Sequence, residues 1–515
     1  MAENDLVQTG IEGLDQILLG GIPRTNVILV RGTTGTGKTL LGVEFIYRGA
    51  VEFDEPGMIV VFETSPEKLM QDAGTLGWKL EELQEKKKLQ IVFTSPQVLE
   101  QELRSPDSLL LETAAEMGAK RIFIDGIGLL RQGPNGNGAS PGSIPVYREL
   151  LQQLLGGLHR ENLTAMLSHE TGTLAESVLT SESAAALVDT VIELNRVPNG
   201  RRIQRTIQIV KSRGQDFESG EHTLHIVSGK GLEVFRRVQS PLPFREPQPT
   251  STAKRSATGV AALDALIGGG LFDGSTTMVV GVSGVGKTVL GTHLLRESVV
   301  QGKPALLISL DEHPAQIIRN ADTLGLHLKP MLDQGSLHLM FESPQELDID
   351  RHFNAIIRTV EKHNIQRMVI DGMTSYSTAI GSLGVYRDFF HALVAFSKGR
   401  LMTTFFNYEN PEFLGISSFM PDFPVSSIMD NIILLSLVEL ESSLHRCMTV
   451  VKARGSKHEV DSREYRIGEG GINLVPSEAA INPPAPFSTY SSILSRAPTR
   501  FKAIEKINAM SGAGD

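Results

Sequence analysis

A single cysteine, Cys447, stands among 515 residues, so an internal disulfide is impossible and a reducing, cytoplasmic setting is expected. Long apolar runs are missing too. The longest candidate, Ile432–Val438, falls far short of the roughly 18 residues that a membrane span needs. The amino terminus, Met1-Ala2-Glu3-Asn4-Asp5, is acidic and is followed by no apolar segment, which argues against a secretory signal. There is no basic excess: 49 Lys and Arg against 59 Asp and Glu leave a net charge of −10. Proteins that grip nucleic acid carry a basic face, so this balance counts against that class. With 41% hydrophobic and 21% charged residues, the composition is that of a soluble globular protein. Its length exceeds what one core supports and points to two domains.

What the chain does have is an internal repeat. Thr9-Gly10-Ile11, Leu14-Asp15 and Gly20-Gly21-Ile22 recur as Thr258-Gly259-Val260, Leu263-Asp264 and Gly269-Gly270-Leu271. Arg121-Ile122-Phe123-Ile124-Asp125-Gly126 recurs as Arg367-Met368-Val369-Ile370-Asp371-Gly372, and Lys211-Ser212-Arg213-Gly214 as Lys452-Ala453-Arg454-Gly455. The offsets stay close (249 from Lys38 to Lys287, 246 from Asp125 to Asp371, 241 from Arg213 to Arg454), as expected of one domain duplicated. The expected organisation is a first domain over 1–240, a linker over 241–256, a second domain over 257–480 and a tail over 481–515. The linker is proline-rich and then polar, and its Arg245, Lys254 and Arg255 read as solvated charge. Gly133–Ser143 reads as a long loop. Apolar runs such as Val27–Val30, Met58–Phe62 and Ile122–Ile124 alternate with helix-length segments. This predicts an α/β fold of two tandem P-loop domains with mostly parallel sheets and ligands at the carboxyl ends of the strands.

The chemistry is concentrated after the first strand of each repeat. Gly32-Thr33-Thr34-Gly35-Thr36-Gly37-Lys38-Thr39 and Gly281-Val282-Ser283-Gly284-Val285-Gly286-Lys287-Thr288 are phosphate-binding loops. In them, backbone N–H groups of Gly35, Thr36, Gly37, Gly284, Val285 and Gly286 would surround ATP phosphates at a helix amino terminus. Lys38 and Lys287 would reach the β- and γ-phosphates, and Thr39 and Thr288 would hold Mg²⁺ together with the strand-end carboxylates Asp125 and Asp371. Glu63 in the first half, and Asp311 and Glu312 in the second, follow the next strand and are candidates to orient or deprotonate the attacking group. Lys211, Arg213, Lys452 and Arg454 follow strand-like runs. Arginine stabilises charge on a transferring phosphoryl group, often from a neighbouring subunit. The halves differ before Asp430, where Ser426 and Ser427 follow Pro424. The same offset before Asp189 gives Ala185 and Ala186. A serine pair there is most often a turn or cap; the contrast suggests phosphate acceptors in the second domain only.

On these residues the chain resembles the KaiC family of circadian-clock ATPases and autokinases, within the RecA/DnaB-like superfamily. The likeness runs from Thr9 to Arg500. It is carried by the two P-loops, Phe53–Gly57, the strand-end carboxylates, both K-x-R-G elements, Ser426-Ser427 and Ser495–Arg500. The resemblance implies RecA-like domains and an ATP-dependent homohexamer in a double ring. It implies a slow ATPase first ring, and a second ring that phosphorylates and dephosphorylates its own serines. It also implies that Lys211, Arg213, Lys452 and Arg454 face the nucleotide of the adjacent subunit, with Arg148 and Arg387 near interfaces, and it suggests a KaiB-like partner. The chain departs from the family pattern in having Glu63-Thr64 and Asp311-Glu312 where a Glu-Glu pair is usual, and Ser-Ser where the clock protein has Ser-Thr. Only Phe501–Asp515 follow Arg500, which argues against a KaiA-type activator.

Two other classes compete. A DNA-threading ATPase would carry basic residues on loops after the Asp125 and Asp371 strands, and neither Gly133–Ser143 nor Met373–Tyr386 has one. An ATP-gated scaffold with little turnover is favoured, for the first ring, by Thr64.

Overall fold

Runs of Val, Ile and Leu carry too few polar groups for a solvated strand, and the chain buries them on both faces. Val27, Ile28, Leu29 and Val30 are all fully buried, each such side chain contributing about 1.5–3 kcal/mol on leaving water. The computed structural model describes residues 6–104, 108–131, 143–172, 175–199, 202–238, 254–410, 427–440, 443–459 and 461–475. The chain divides into two compact units, Met1–Arg237 and Val238–Asp515.

In the first unit β1 (Val27–Gly32) leads into α1 (Lys38–Glu52). There follow β2 (Gly57–Val61), β3 (Leu89–Phe93), β4 (Arg121–Asp125), β5 (Thr164–Glu170), α2 (Ala175–Leu187), β6 (Thr190–Asn199), β7 (Arg202–Ser212), β8 (Glu221–Val227) and β9 (Gly231–Phe235). The sheet order is β9-β8-β7-β6-β1-β5-β4-β2-β3. Strands β6 to β3 run parallel, and β7, β8 and β9 add an antiparallel meander at one edge.

The second unit repeats this plan. It contains β10 (Thr276–Gly281), α3 (Lys287–Val300), β11 (Ala305–Ser309), β12 (Leu337–Phe341), α4 (Ile349–His363), β13 (Arg367–Asp371), α5 (Met373–Ile380), α6 (Leu383–Gly399), β14 (Thr403–Glu409), β15 (Asn431–Leu440), β16 (Ser443–Ala453), β17 (Arg463–Gly468) and β18 (Gly471–Leu474). Its order, β12-β11-β13-β14-β10-β15-β16-β17-β18, is that of the first sheet read from the other edge. The expected α/β architecture of tandem, mostly parallel sheets is therefore the observed one.

Each P-loop helix must lie close on its sheet, and glycine makes this possible. A Cβ on Gly42 of α1 would lie 2.1 Å from the Phe123 ring, and one on Gly291 of α3 2.8 Å from Val369. Arg255, expected as solvated linker charge, belongs instead to the second unit. Its guanidinium donates to the carbonyls of Ile267 and Gly270 and to Ser456, and stacks on Phe272 at 3.9 Å. Lys211 and Lys452 also lie inside β7 and β16 rather than past them. Among the described residues no helix is long and apolar enough to cross a membrane. Expectations for 132–142, 241–253 and 481–515 fall outside the described residues.

Candidate phosphate sites

Each loop after the central strand turns through glycines at positive φ: Gly35 (77°) and Gly37 (108°), Gly284 (80°) and Gly286 (102°). Side chains with a Cβ rarely adopt this backbone, and it lets successive N–H groups converge on an anion. Lys38 and Lys287 fold back alike. Each ammonium donates at 2.9 Å to two loop carbonyls, Gly32 and Thr33 in one case, Gly281 and Val282 in the other. Burial pulls both ammonium pKa values down, and nearby carboxylates oppose that shift.

One residue beyond the lysine, a hydroxyl meets the strand-end carboxylate. Thr39 donates to Asp125 at 2.9 Å and Thr288 to Asp371 at 2.7 Å. This hydroxyl–carboxylate pair is the donor set that holds Mg²⁺ in P-loop proteins. In the second domain burial raises the Asp371 pKa, with Asp311 adding to the rise. A cation beside it would relieve that cost, so the residues fit the metal.

The neighbouring strand supplies groups that the sequence reading missed. Register places Glu170 opposite Gly32 and Glu409 opposite Gly281. Glu170 accepts from Thr34 of the loop, and Glu409 lies 4.0 Å from Lys287. Two residues earlier, Ser168 holds Asp125, and Asn407 donates to Asp371 at 3.1 Å. The signal was available: His169-Glu170 and Tyr408-Glu409 recur in the repeat at a similar offset.

The proposed base positions sit just past β2 and β11. Glu63 is exposed and has no hydrogen bond or ion pair among the described residues. Asp311 accepts from Ser375, and Glu312 accepts from Asn320 at 3.4 Å. Burial, and then Asp371 and Asp311, push the Glu312 carboxyl up. Lys287, Thr288, Asp311, Glu312, Asp371 and Glu409 line one cavity of about 450 Å³.

The K-x-R-G elements lie away from the phosphate site of their own domain. Lys211 donates to the carbonyls of Ala185 and Val188, and Lys452 to that of Met429. Arg213 lies level with Val27, because Asp189 bonds both backbones. Five residues of strand, about 16 Å, then separate it from Gly32. Arg454 is tied in the same way to Asp430, which caps Thr276. Both arginines are largely exposed, at 54% and 62%. Ser427 stands exposed at this same end, three residues before Asp430, and Ser426 lies outside the described residues. Arg148 and Arg387 are exposed on helices.

Comparison with known proteins points to one family. A family model described as the KaiC ATPase matches twice, over residues 7–239 and 256–479. The circadian clock oscillator protein KaiC of Picosynechococcus is 32% identical over 506 residues, covering 97% of this chain and 93% of its own. Circadian clock oscillator protein KaiC 1 of Synechocystis is 31% identical over 506 residues, covering 97% and 93%. The KaiC of Parathermosynechococcus lividus is 31% identical over 505 residues, covering 97% and 89%.

Proposed function

The chain belongs to the KaiC family of ATPases, and from that premise we propose that its second domain is a serine autokinase and autophosphatase, working between copies of the chain. The observation that carries this reading is the separation within one domain. The P-loop leaves the carboxyl end of the strands, while Ser427, Lys452 and Arg454 stand together at the amino end. A side chain cannot span the length of a strand, so Ser427 can meet only a nucleotide held by another copy. A head-to-tail ring brings those two ends together.

In this reading Lys287 leaves its two loop carbonyls for the β- and γ-phosphates of ATP, and the loop N–H groups hold the remaining oxygens. Thr288 and Asp371 hold Mg²⁺, which when bound offsets phosphate charge. The hydroxyl oxygen of Ser426 or Ser427 attacks the γ-phosphorus as Asp311 takes the hydroxyl proton. The bond from γ-phosphorus to the bridging oxygen breaks, and ADP leaves. Arg454 and Lys452 of the acceptor's own chain stabilise charge on the moving group. Glu312 lies beside Asp311 as a second acceptor of the proton. In the phosphatase direction a water attacks the phosphoserine phosphorus, the bond from phosphorus to the serine oxygen breaks, and the proton lost by the water goes to that oxygen, leaving a serine hydroxyl and inorganic phosphate.

The first domain has Thr39, Asp125 and Glu63 for hydrolysis and Arg213 with Lys211 for the neighbouring copy. It has methyl groups where the second has serines, so it hydrolyses ATP without marking itself. A double-ring hexamer acting as a signalling or timing component, with a KaiB-like partner on the first ring, completes the proposal. Protein incubated with Mg-ATP should carry phosphate on Ser426 or Ser427 in the Phe413–Val438 peptide, and a Lys287→Ala variant should carry none. An unmodified peptide alongside measurable ATP hydrolysis would sink the autokinase and leave a two-ring ATPase.

A further inference from the structure

Asp311 is one methylene shorter than the glutamate at the equivalent first-domain position, Glu63, yet it is the carboxylate that the second domain restrains. Two contacts do so. Ser375 of α5 donates to Asp311 Oδ1, and Oδ2 occupies the space above Gly372, where an added Cβ would come within 2.6 Å. Gly372 itself has a φ of 95°.

The Ser375 bond is not what a helical serine ordinarily makes. Hydroxyls inside helices bond back to the carbonyl four residues earlier. Thr378 and Thr359, and Ser397 in α6, do this at 2.8–3.2 Å. Ser375 stands in the first turn of α5, with no helix carbonyl four residues behind it, and its hydroxyl goes to the carboxylate. Its neighbour Thr374 accepts from the backbone N–H of Glu409 at 3.1 Å, so adjacent residues of one helix turn tie down both Asp311 and the end of β14.

α5 itself is firmly anchored. Tyr376 is wholly buried, packs on Phe389 with ring centroids 5.0 Å apart, and shares a 2.6 Å hydrogen bond with His352 of α4. Among the described residues the first domain has no equivalent. A short 3-10 turn, Ile127–Arg131, follows its Asp125, with Gly128 and Leu129 in place of Thr374 and Ser375.

We propose that Ser375 is a positioning residue, its hydroxyl holding the short Asp311 carboxylate over the phosphate site, and that α5 is the element that lets an aspartate serve there. This rests on the reading of Asp311 as the proton acceptor. The carboxylate would otherwise sample rotamers that face solvent, and a fixed donor removes that freedom before substrate arrives.

The test is ADP formation by the full-length protein, counting only the share that Lys287→Ala removes. Ser375→Val, close in shape to threonine but without a donor, should lower the kcat of that share about tenfold while KM for ATP stays within about twofold, as loss of a hydrogen bond to a charged group predicts. Ser375→Thr keeps the donor and should stay within about threefold. In an Asp311→Glu background, where the longer side chain needs no tether, Ser375→Val should cost less than about twofold. Equal losses for the valine and threonine variants, or equal losses in both backgrounds, would overturn the positioning role. If Lys287→Ala removes no turnover, the reading of the site itself falls, and Ser375 falls with it. Turnover that is present but unphosphorylated on serine would sink only the autokinase.

Discussion

The two domains share strand order, register and P-loop geometry, and differ in how tightly the polar groups around the phosphate site are held. In the first, Glu63 is exposed and has no hydrogen bond or ion pair among the described residues, and Thr64 replaces the second carboxylate. In the second, Asp311 is held by Ser375, Glu312 by Asn320, and Asp371 is almost fully buried between Thr288 and Asn407. The sheet is the same platform in both, so the proposed difference in chemistry rests on a handful of side chains at the strand ends. A restrained carboxylate suits transfer to a chosen hydroxyl. A loose one orients its nucleophile less well.

The largest effect expected from this comparison follows removal of each base. Asp311→Asn should lower serine phosphorylation on the order of 10²–10³-fold, the scale of general-base catalysis. Glu63→Gln should cost first-domain hydrolysis no more than about tenfold, because an exposed carboxylate contributes less orientation. ADP release and phosphopeptide yield on the two variants measure both. Equal losses would erase the contrast.

A second contrast lies behind the P-loops, on the faces of α1 and α3 that meet the last strand. Glu44 accepts the N–H of Leu232 at 2.8 Å, and at the same place in the repeat His293 accepts that of Ile472 at 2.9 Å. Burial lifts the Glu44 carboxyl from 4.5 to about 7, against the pull of Leu232 N–H and Arg48, with Glu52 adding to the rise. Burial drops His293 from 6.5 to about 4, and Arg296 adds to the fall. The signs are opposite. The Glu44 contribution to stability is complete below pH 4.5 and is lost as pH rises through about 7. The His293 contribution is complete above pH 6.5 and is lost as pH falls toward 4. Each amounts to on the order of 1–3 kcal/mol. Trp78, the only tryptophan and buried in the first domain, reports that domain alone. Its thermal transition should fall between pH 5 and pH 7.5 in the natural chain and flatten in Glu44→Gln. Hydrogen exchange at Ile472 should quicken from pH 6.5 toward pH 4.5, after correction for intrinsic rates, and lose that trend in His293→Gln. Transitions with the same slope in both domains would refute the assignment.

These contrasts were only partly legible in the sequence. Strand-forming runs, glycine loops and the repeat offset specified the fold, because each depends on local spacing. Glu170 and Glu409 escaped notice because they reach the P-loop only through strand order, β5 lying beside β1 after more than a hundred intervening residues. Lys211 and Lys452 read as lying past their strands because the register that carries β7 and β16 through them is not visible in the sequence. The tether on Asp311 was hidden for a different reason. A serine four residues past a strand end looks like any helical serine until the direction of its hydroxyl is known.

The smallest expected effect tests whether the first domain can be made to resemble the second. Thr64 occupies the place of Glu312, so Thr64→Glu restores a paired carboxylate. The second domain can hold that charge because Asn320 offers an amide to it. The first domain has Asp72 at the same helix position, paired with Lys68 at 2.6 Å. A new glutamate would therefore face a carboxylate where its counterpart faces a donor, and like charge raises its pKa and turns it outward. Thr64→Glu alone should raise first-domain ATP hydrolysis by less than about twofold. Adding Asp72→Asn should carry the increase to about fivefold, because the amide supplies the missing donor and removes the repulsion. Hydrolysis measured with the second domain silenced by Lys287→Ala decides the matter. An identical rate in the single and double variants would mean that the Asn320 amide is not what allows the second domain its pair of carboxylates.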